Sequence, residues 1–317
     1  MPRAFDVPLL LGAAFVMGSA IGSFANVCIY RMPRKRKFQE ELGLAEKDIL
    51  PDGHSIVRPR SFCPHCRRGI PWWDNLPILS YALLNGRCRA CKAPIPFRYP
   101  LVEALTGALF ALCAWRHLTD PSGTPPAVLG VMLLIVTALV VITFIDIDFR
   151  IIPDEISIGG ALLAIPVSLA VPALHVKPWP PFSGAATSLP WEGALASLAG
   201  ILAGAGAIYV MHGVGVGYLR LKALLRRLPW DPDKAVVGGG DLKMMAAVGG
   251  FLGWQAALLV VFFLAPVFGA AVGIVYLVMT RDEYIAYGPF LALGTLIVML
   301  NRREILGFLS EALVART

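Results

Sequence analysis

Charge is what this sequence has least of. Only 15% of its 317 residues are Asp, Glu, Lys or Arg, where a soluble domain carries about 25%. Acids are scarcer than bases, 21 against 28, so each acid that falls at the end of an apolar run stands out. No internal repeat and no low-complexity tract is found. That absence weighs against a transporter built from inverted halves.

What fills the chain is apolar: 57% of residues, with a mean hydropathy of +0.68. These values indicate a polytopic, all-α membrane protein whose partner is the lipid bilayer. The net charge of +7 would suit nucleic acid, yet 14 of the 28 Lys and Arg lie between Arg31 and Arg98 in one hydrophilic loop. Such clustering follows the positive-inside rule, which assigns the loop to the cytoplasm and leaves no nucleic-acid partner. Residues 8–30 are preceded only by Arg3 and offer no convincing cleavage site, so they read as an uncleaved first span.

About eight transmembrane helices are expected, at roughly 8–30, 100–118, 127–145, 155–174, 193–213, 242–264, 266–279 and 288–300. Pro266 marks the break between the sixth and seventh, and Asp154 is the expected N-cap of the fourth. Residues 175–191 read as an outer loop, 214–237 as a basic cytoplasmic loop and 281–283 as a cytoplasmic turn. The span count leaves Arg302 and Arg303 on the outer side, against the charge rule, with a helix 303–315 along the interface as the alternative. Gly200 and Gly204 at GxxxG spacing should form a packing face.

The loop after the first span carries Cys63-Pro-His-Cys66 and Cys88-Arg-Ala-Cys91, with 21 residues between the two pairs. Four thiolates at that spacing can close a tetrahedral zinc site, whereas disulfides do not suit a reducing compartment. A four-cysteine set leaves no open coordination position, so the zinc is expected to be structural. His65 reads as a bystander, and Cys28 and Cys113 as small core residues. The loop holds no glycine-rich nucleotide fingerprint. Glu103, near the start of the second span, reads equally as a helix-end residue and as a functional one.

Acids meet apolar runs at two places. Asp241 directly follows Gly238-Gly239-Gly240 and heads a segment with Ala246, Gly249, Gly250 and Gly253 at helical spacing. Phe144-Ile145-Asp146-Ile147-Asp148 closes the third span, and Ile152-Pro153-Asp154 follows it. A carboxylate at membrane depth costs about 2.5–3.5 kcal/mol on insertion scales, so its default reading is functional. Two acids in a dry site suit an aspartic protease, one ionised to activate water and one protonated to polarise the scissile carbonyl. Lys243 either lowers the Asp241 pKa or snorkels to the interface.

These residues resemble a known family. Gly238-Gly239-Gly240-Asp241 matches the GxGD signature of membrane aspartic proteases. With Ile145-Asp146, Ile152-Pro153-Asp154, the Gly22-Ser23-Phe24-Ala25-Asn26-Val27 stretch and Tyr287-Gly288-Pro289-Phe290-Leu291-Ala292, the chain is similar to the type IV prepilin peptidases. The four-cysteine loop, with Asp74-Asn75-Leu76-Pro77 and Arg98-Tyr99-Pro100 around it, resembles that of the bacterial two-activity branch. The resemblance implies a catalytic pair of Asp146 and Asp241 in an active site facing the cytoplasm of the inner membrane; Asp148, two residues further out, reads as solvated and paired with Arg150. It implies cleavage of type IV prepilins or pseudopilins after a leader glycine, then methylation of the new amino terminus from S-adenosylmethionine. It also implies a division into 1–30, the first span; 31–99, a four-cysteine zinc-binding loop domain associated with methyl transfer; and 100–317, the peptidase domain. Two alternatives stand beside this reading: a peptidase without the methyltransferase, and a proton-coupled transporter.

Overall fold

The computed structural model describes residues 6–35, 43, 55–57, 60–121, 123–176, 187–226, 238–280 and 286–314. Its architecture is all-α, in two compact units, Met1–Phe149 and Arg150–Thr317. Two isolated β-bridges, Phe62 with Gly69 and Arg87 with Pro94, lie in the cysteine loop.

Helices α1 (Asp6–Arg31), α3 (Arg98–Leu118) and α4 (Pro126–Phe149) frame the first unit, and a five-residue helix, α2 (Leu79–Leu83), sits in the loop. Asp6 in the first turn and Arg31 in the last complement the α1 dipole. Small residues bring α1 and α3 together. A Cβ at Gly18 would stand 2.7 Å from the Phe110 side chain, and one at Gly107 only 2.4 Å from Ser19 Oγ. In lipid, where apolar surface gains nothing by leaving the solvent, such close approach is what holds helices together. Cys28 and Cys113 lie buried in this packing, as expected.

The second unit comprises α5 (Asp154–Ala170), α6 (Pro190–Arg226), α7 (Gly239–Leu252), α8 (Trp254–Leu259), α9 (Ala265–Thr280) and α10 (Gly288–Val314). The Gly200 and Gly204 face forms as expected. An added Cβ at Gly200 would meet the Gly249 carbonyl oxygen at 1.9 Å, and one at Gly204 the Met245 oxygen at 2.0 Å. The backbones of α6 and α7 are therefore in direct contact, and no other residue type fits at either glycine.

Five helices among the described residues are long and apolar enough to cross a membrane: Asp6–Arg31, Arg98–Leu118, Pro126–Phe149, Pro190–Leu225 and Trp254–Val275. The expected fourth span forms the 17-residue α5 and the expected eighth the shorter apolar helix Gly288–Arg302. The expected sixth is divided, its first part forming α7 and its second part joining the seventh in Trp254–Val275. At 1.5 Å per residue the 14 residues of α7 extend about 21 Å, less than the roughly 30 Å hydrocarbon core.

Several boundaries differ from the sequence expectation. The helix breaks at Gly253 and not at Pro266. Gly253 has φ +87°, a conformation that glycine adopts without strain. Pro266 instead lies inside continuous helix, two residues beyond a π-helical turn over Val260–Leu264. That wider turn absorbs the hydrogen bond and the space that a proline ring denies an α-helix. α6 runs on into the expected basic loop as far as Arg226, and residues 227–237 and the 281–283 turn lie outside the described residues. Asp154 is not the N-cap of α5: Pro153 occupies that position, and Asp154 lies in the first turn. α10 bends at Asn301, whose φ of −123° is non-helical, near the expected end of the eighth span.

Candidate functional site

The two cysteine pairs fold alike. Each first cysteine receives a backbone bond from four residues on, Arg67 N–H to the Cys63 oxygen at 2.8 Å and Lys92 N–H to the Cys88 oxygen at 3.0 Å. Each donates to the carbonyl five residues on, Cys63 to Arg68 at 3.0 Å and Cys88 to Ala93 at 2.9 Å. The residue after each second cysteine turns left-handed, Arg67 at φ +56° and Lys92 at φ +58°. The two tight loops so formed turn all four thiols inward, and the four sulfurs lie within 4.8 Å of one another. Cys63 Sγ and Cys91 Sγ are 3.8 Å apart, the edge length of about 3.8 Å that a tetrahedron with metal–sulfur bonds near 2.3 Å requires. None of the four is in a disulfide. The Cys91 and Ala90 N–H groups aimed at Cys88 lower its thiol to about 7, poising it as a thiolate. His65 is exposed and outside the cluster.

Beside the cysteines, within the first unit, lies a cavity of about 500 Å³. Its walls come from the last turns of α1, the start of α3, both cysteine loops and the segment around α2. Glu103 lines it and is 9% exposed. Its carboxylate accepts the Ile78 N–H at 2.7 Å and is also hydrogen-bonded to Ser23. Ile78 is held at φ +62°, ψ −50°, and Leu79 N–H bonds across it to the Pro77 oxygen at 2.5 Å. This is a γ-turn of the strained hand, at a β-branched residue. Asn26 Nδ2 donates to the Tyr99 oxygen at 3.0 Å, tying α1 to α3 at the same level.

The acids separate by burial. Asp146 is 6% exposed on the last turn of α4. The Asp148 side chain is 32% exposed and forms an ion pair with Arg98, a partner the sequence does not single out. Arg98 also donates to the Phe144 oxygen at 2.9 Å. In the second unit Asp241 is 8% exposed in the first turn of α7. Its Oδ2 accepts the Gly238 N–H at 3.1 Å, so the carboxylate sits at the positive end of the helix. Ile152 explains only the last of the three glycines: a Cβ at Gly240 would lie 3.0 Å from the Ile152 Cβ, whereas one at Gly239 would meet nothing within 4 Å. Lys243 Nζ pairs with Asp154 Oδ1 at 2.7 Å and cross-links α7 to α5.

One group in this neighbourhood, in the 287–292 stretch that carries the family resemblance, receives no role from the sequence. The Tyr287 hydroxyl is buried with no hydrogen-bond partner. Its ring packs edge-on against Phe290, with centroids 6.3 Å apart. Burial, and then the nearby charge of Asp241, push the phenol up to about 12, so it remains a proton donor. The only signal in the sequence is its place immediately before Gly288-Pro289.

Residues 16–117 match the model of the bacterial peptidase A24 N-terminal domain, and residues 132–274 that of the type IV leader peptidase family. A prepilin leader peptidase/N-methyltransferase of Burkholderia pseudomallei (strain 1026b) is 36% identical over 92% of this chain and 85% of its own length. Proteins of the same name are 34% identical in Aeromonas hydrophila, over 92% and 91%, and 33% identical in Neisseria gonorrhoeae, over 93% and 90%. No solved structure matches the chain.

Proposed function

The chain belongs to the type IV leader peptidase family, and from that premise we propose that it cleaves the leader from type IV prepilins or pseudopilins and N-methylates the new amino terminus. The observation that carries this reading is Asp241, a buried carboxylate at the head of a helix too short to span, reached through three glycines. In an apolar setting a carboxylate is retained where it works. The glycines leave the approaching backbone open to an extended substrate.

The catalytic pair is Asp146 and Asp241. One, ionised, takes a proton from the attacking water; the other, protonated, donates toward the scissile carbonyl oxygen. Asp148 is excluded from the role because Arg98 neutralises it in a half-exposed position. The Tyr287 hydroxyl, kept protonated, is a further donor for the oxygen that becomes negative as water adds. The four thiolates of Cys63, Cys66, Cys88 and Cys91 hold a structural zinc, which fixes the loop and takes no part in hydrolysis. The methyl donor is S-adenosylmethionine, which supplies an electrophilic methyl group when bound. The protein acts as a multi-pass enzyme of the inner membrane, with both activities at the cytoplasmic face.

Incubating the purified protein with a model prepilin and isotope-labelled S-adenosylmethionine, then reading product masses, tests the whole proposal. Both leader loss and label uptake are expected. Cleavage without label would leave a peptidase alone, and neither would sink the reading.

A further inference from the structure

The cavity in the first unit holds a carboxylate, Glu103, that pairs with none of the arginines Arg31, Arg68 and Arg89 lining the same walls. Asp74, which also lines it, is answered by the forked guanidinium of Arg89 at 2.6 and 2.7 Å. Glu103 is not: it is nine-tenths buried, and its two partners, the Ile78 N–H and the Ser23 hydroxyl, are neutral. A buried carboxylate is costly unless paired, so such a site gains from a cation that enters it. The walls suit one. Tyr30, Tyr81 and Tyr99 contribute aromatic surface, which attracts cations and stacks on flat heterocycles. At about 500 Å³ the cavity lies within the range of small-molecule sites. The fold also invests in this corner, because Glu103 receives its bond from the one residue held in a strained γ-turn among those described. Backbone strain of that kind persists where the surroundings enforce it, and it gathers at ligand sites.

We propose that this cavity binds S-adenosylmethionine, with Glu103 facing the sulfonium and the tyrosines facing the adenosine. The inference rests on the methyltransferase reading above and deepens it. The sulfonium charge is permanent and needs no proton. In the transfer, the neutral amine of the cleaved pilin forms the nitrogen–carbon bond with its lone pair. The carbon–sulfur bond breaks and its electron pair stays on sulfur, leaving a neutral thioether. The methylated ammonium then releases one proton. Glu103 thus distinguishes donor from product, because the charge it faces is gone after transfer. It is a binding and positioning residue and exchanges no proton.

The shared chemistry, a cation over a carboxylate, could also come from the amino-terminal ammonium of the cleaved pilin, and the test separates the two. Calorimetric titration of the purified full chain uses three probes: S-adenosylmethionine, S-adenosylhomocysteine and a cleaved pilin amino-terminal peptide. Glu103→Gln keeps an oxygen that can accept the Ile78 N–H while removing the charge; zinc content and thermal midpoint check that it folds. The expected result is a tenfold or greater loss of S-adenosylmethionine affinity, with S-adenosylhomocysteine changed less than about twofold. An equal loss for both, no loss for either, or a loss confined to the peptide overturns the proposal. A second measurement needs no variant: S-adenosylhomocysteine added to the wild-type protein should slow amide exchange over residues 76–84 and 98–103. Unchanged exchange there, in a preparation that methylates a pre-cleaved pilin, sinks the cavity while leaving the activity intact. A preparation that binds no donor and methylates nothing fails the reading beneath it instead.

Discussion

Replacing Tyr287 by Phe should move stability and activity in opposite directions. The hydroxyl is buried without a partner, and an unmet polar group of that kind costs about 1–3 kcal/mol. The phenylalanine ring fills the same space against Phe290 and Gly269, so the variant should be more stable by about 1 kcal/mol or more. If the hydroxyl serves the developing oxyanion, removing it should lower kcat by about a hundredfold to a thousandfold. The ground-state carbonyl carries less charge, so KM should change little. Because the phenol is held up to about 12, the loss should be the same at about pH 6 and about pH 8, well below any titration. The wild-type contribution is unaffected below the unfolded value of 10.0. It is lost as pH rises toward 12, since the unfolded chain ionises first; the variant should lack this alkaline sensitivity. The assay is a thermal midpoint in detergent beside steady-state cleavage of a purified prepilin. An unchanged kcat would refute the catalytic role. A lower midpoint together with a lower kcat would show that the hydroxyl is structural.

The other predictions concern separate parts of the molecule. Asp146→Asn and Asp241→Asn should each abolish leader cleavage while Asp148→Asn retains most of it, read by product masses; Asp241→Asn should still methylate a pilin supplied already cleaved. Elemental analysis of protein purified without chelators should give close to one zinc per chain, and Cys63→Ser with Cys66→Ser should remove it, with methylation falling more than cleavage. His175 is 1% exposed and bonded through Nε2 to Ser168 Oγ at 2.8 Å; burial, reinforced by Arg302, lowers it to about 3. The unfolded chain binds a proton there first as pH drops. Stability should therefore fall below about pH 6.5, by up to roughly 1.4 kcal/mol per pH unit, and a flat acid limb to the thermal midpoint in the wild type would contradict this.

How much of this was legible in the sequence depended on whether a residue's role was local. The cysteine loops were readable because each is closed by backbone bonds spanning at most five residues, so ligand spacing alone implies the geometry. The Gly200 and Gly204 face was readable too, since helical periodicity fixes which residues share a side. What that face met was not: Gly249 and Met245 supply carbonyl oxygens, and a carbonyl has no letter in the sequence. The break at Gly253 was missed for a related reason. Proline is the stronger breaker in isolation, but a π-helical turn before Pro266 accommodates it, while a single left-handed glycine does the breaking. Glu103 shows the limit most plainly. Its position near a helix start offered a local explanation, and its bond to Ile78, 25 residues away, supplied a tertiary one. Two carboxylates near helix ends, Glu103 and Asp148, thus finish in opposite surroundings, one among neutral partners and the other beside Arg98. Charge compensation is a property of the fold, and a reading that must assign cations to acids needs the fold first.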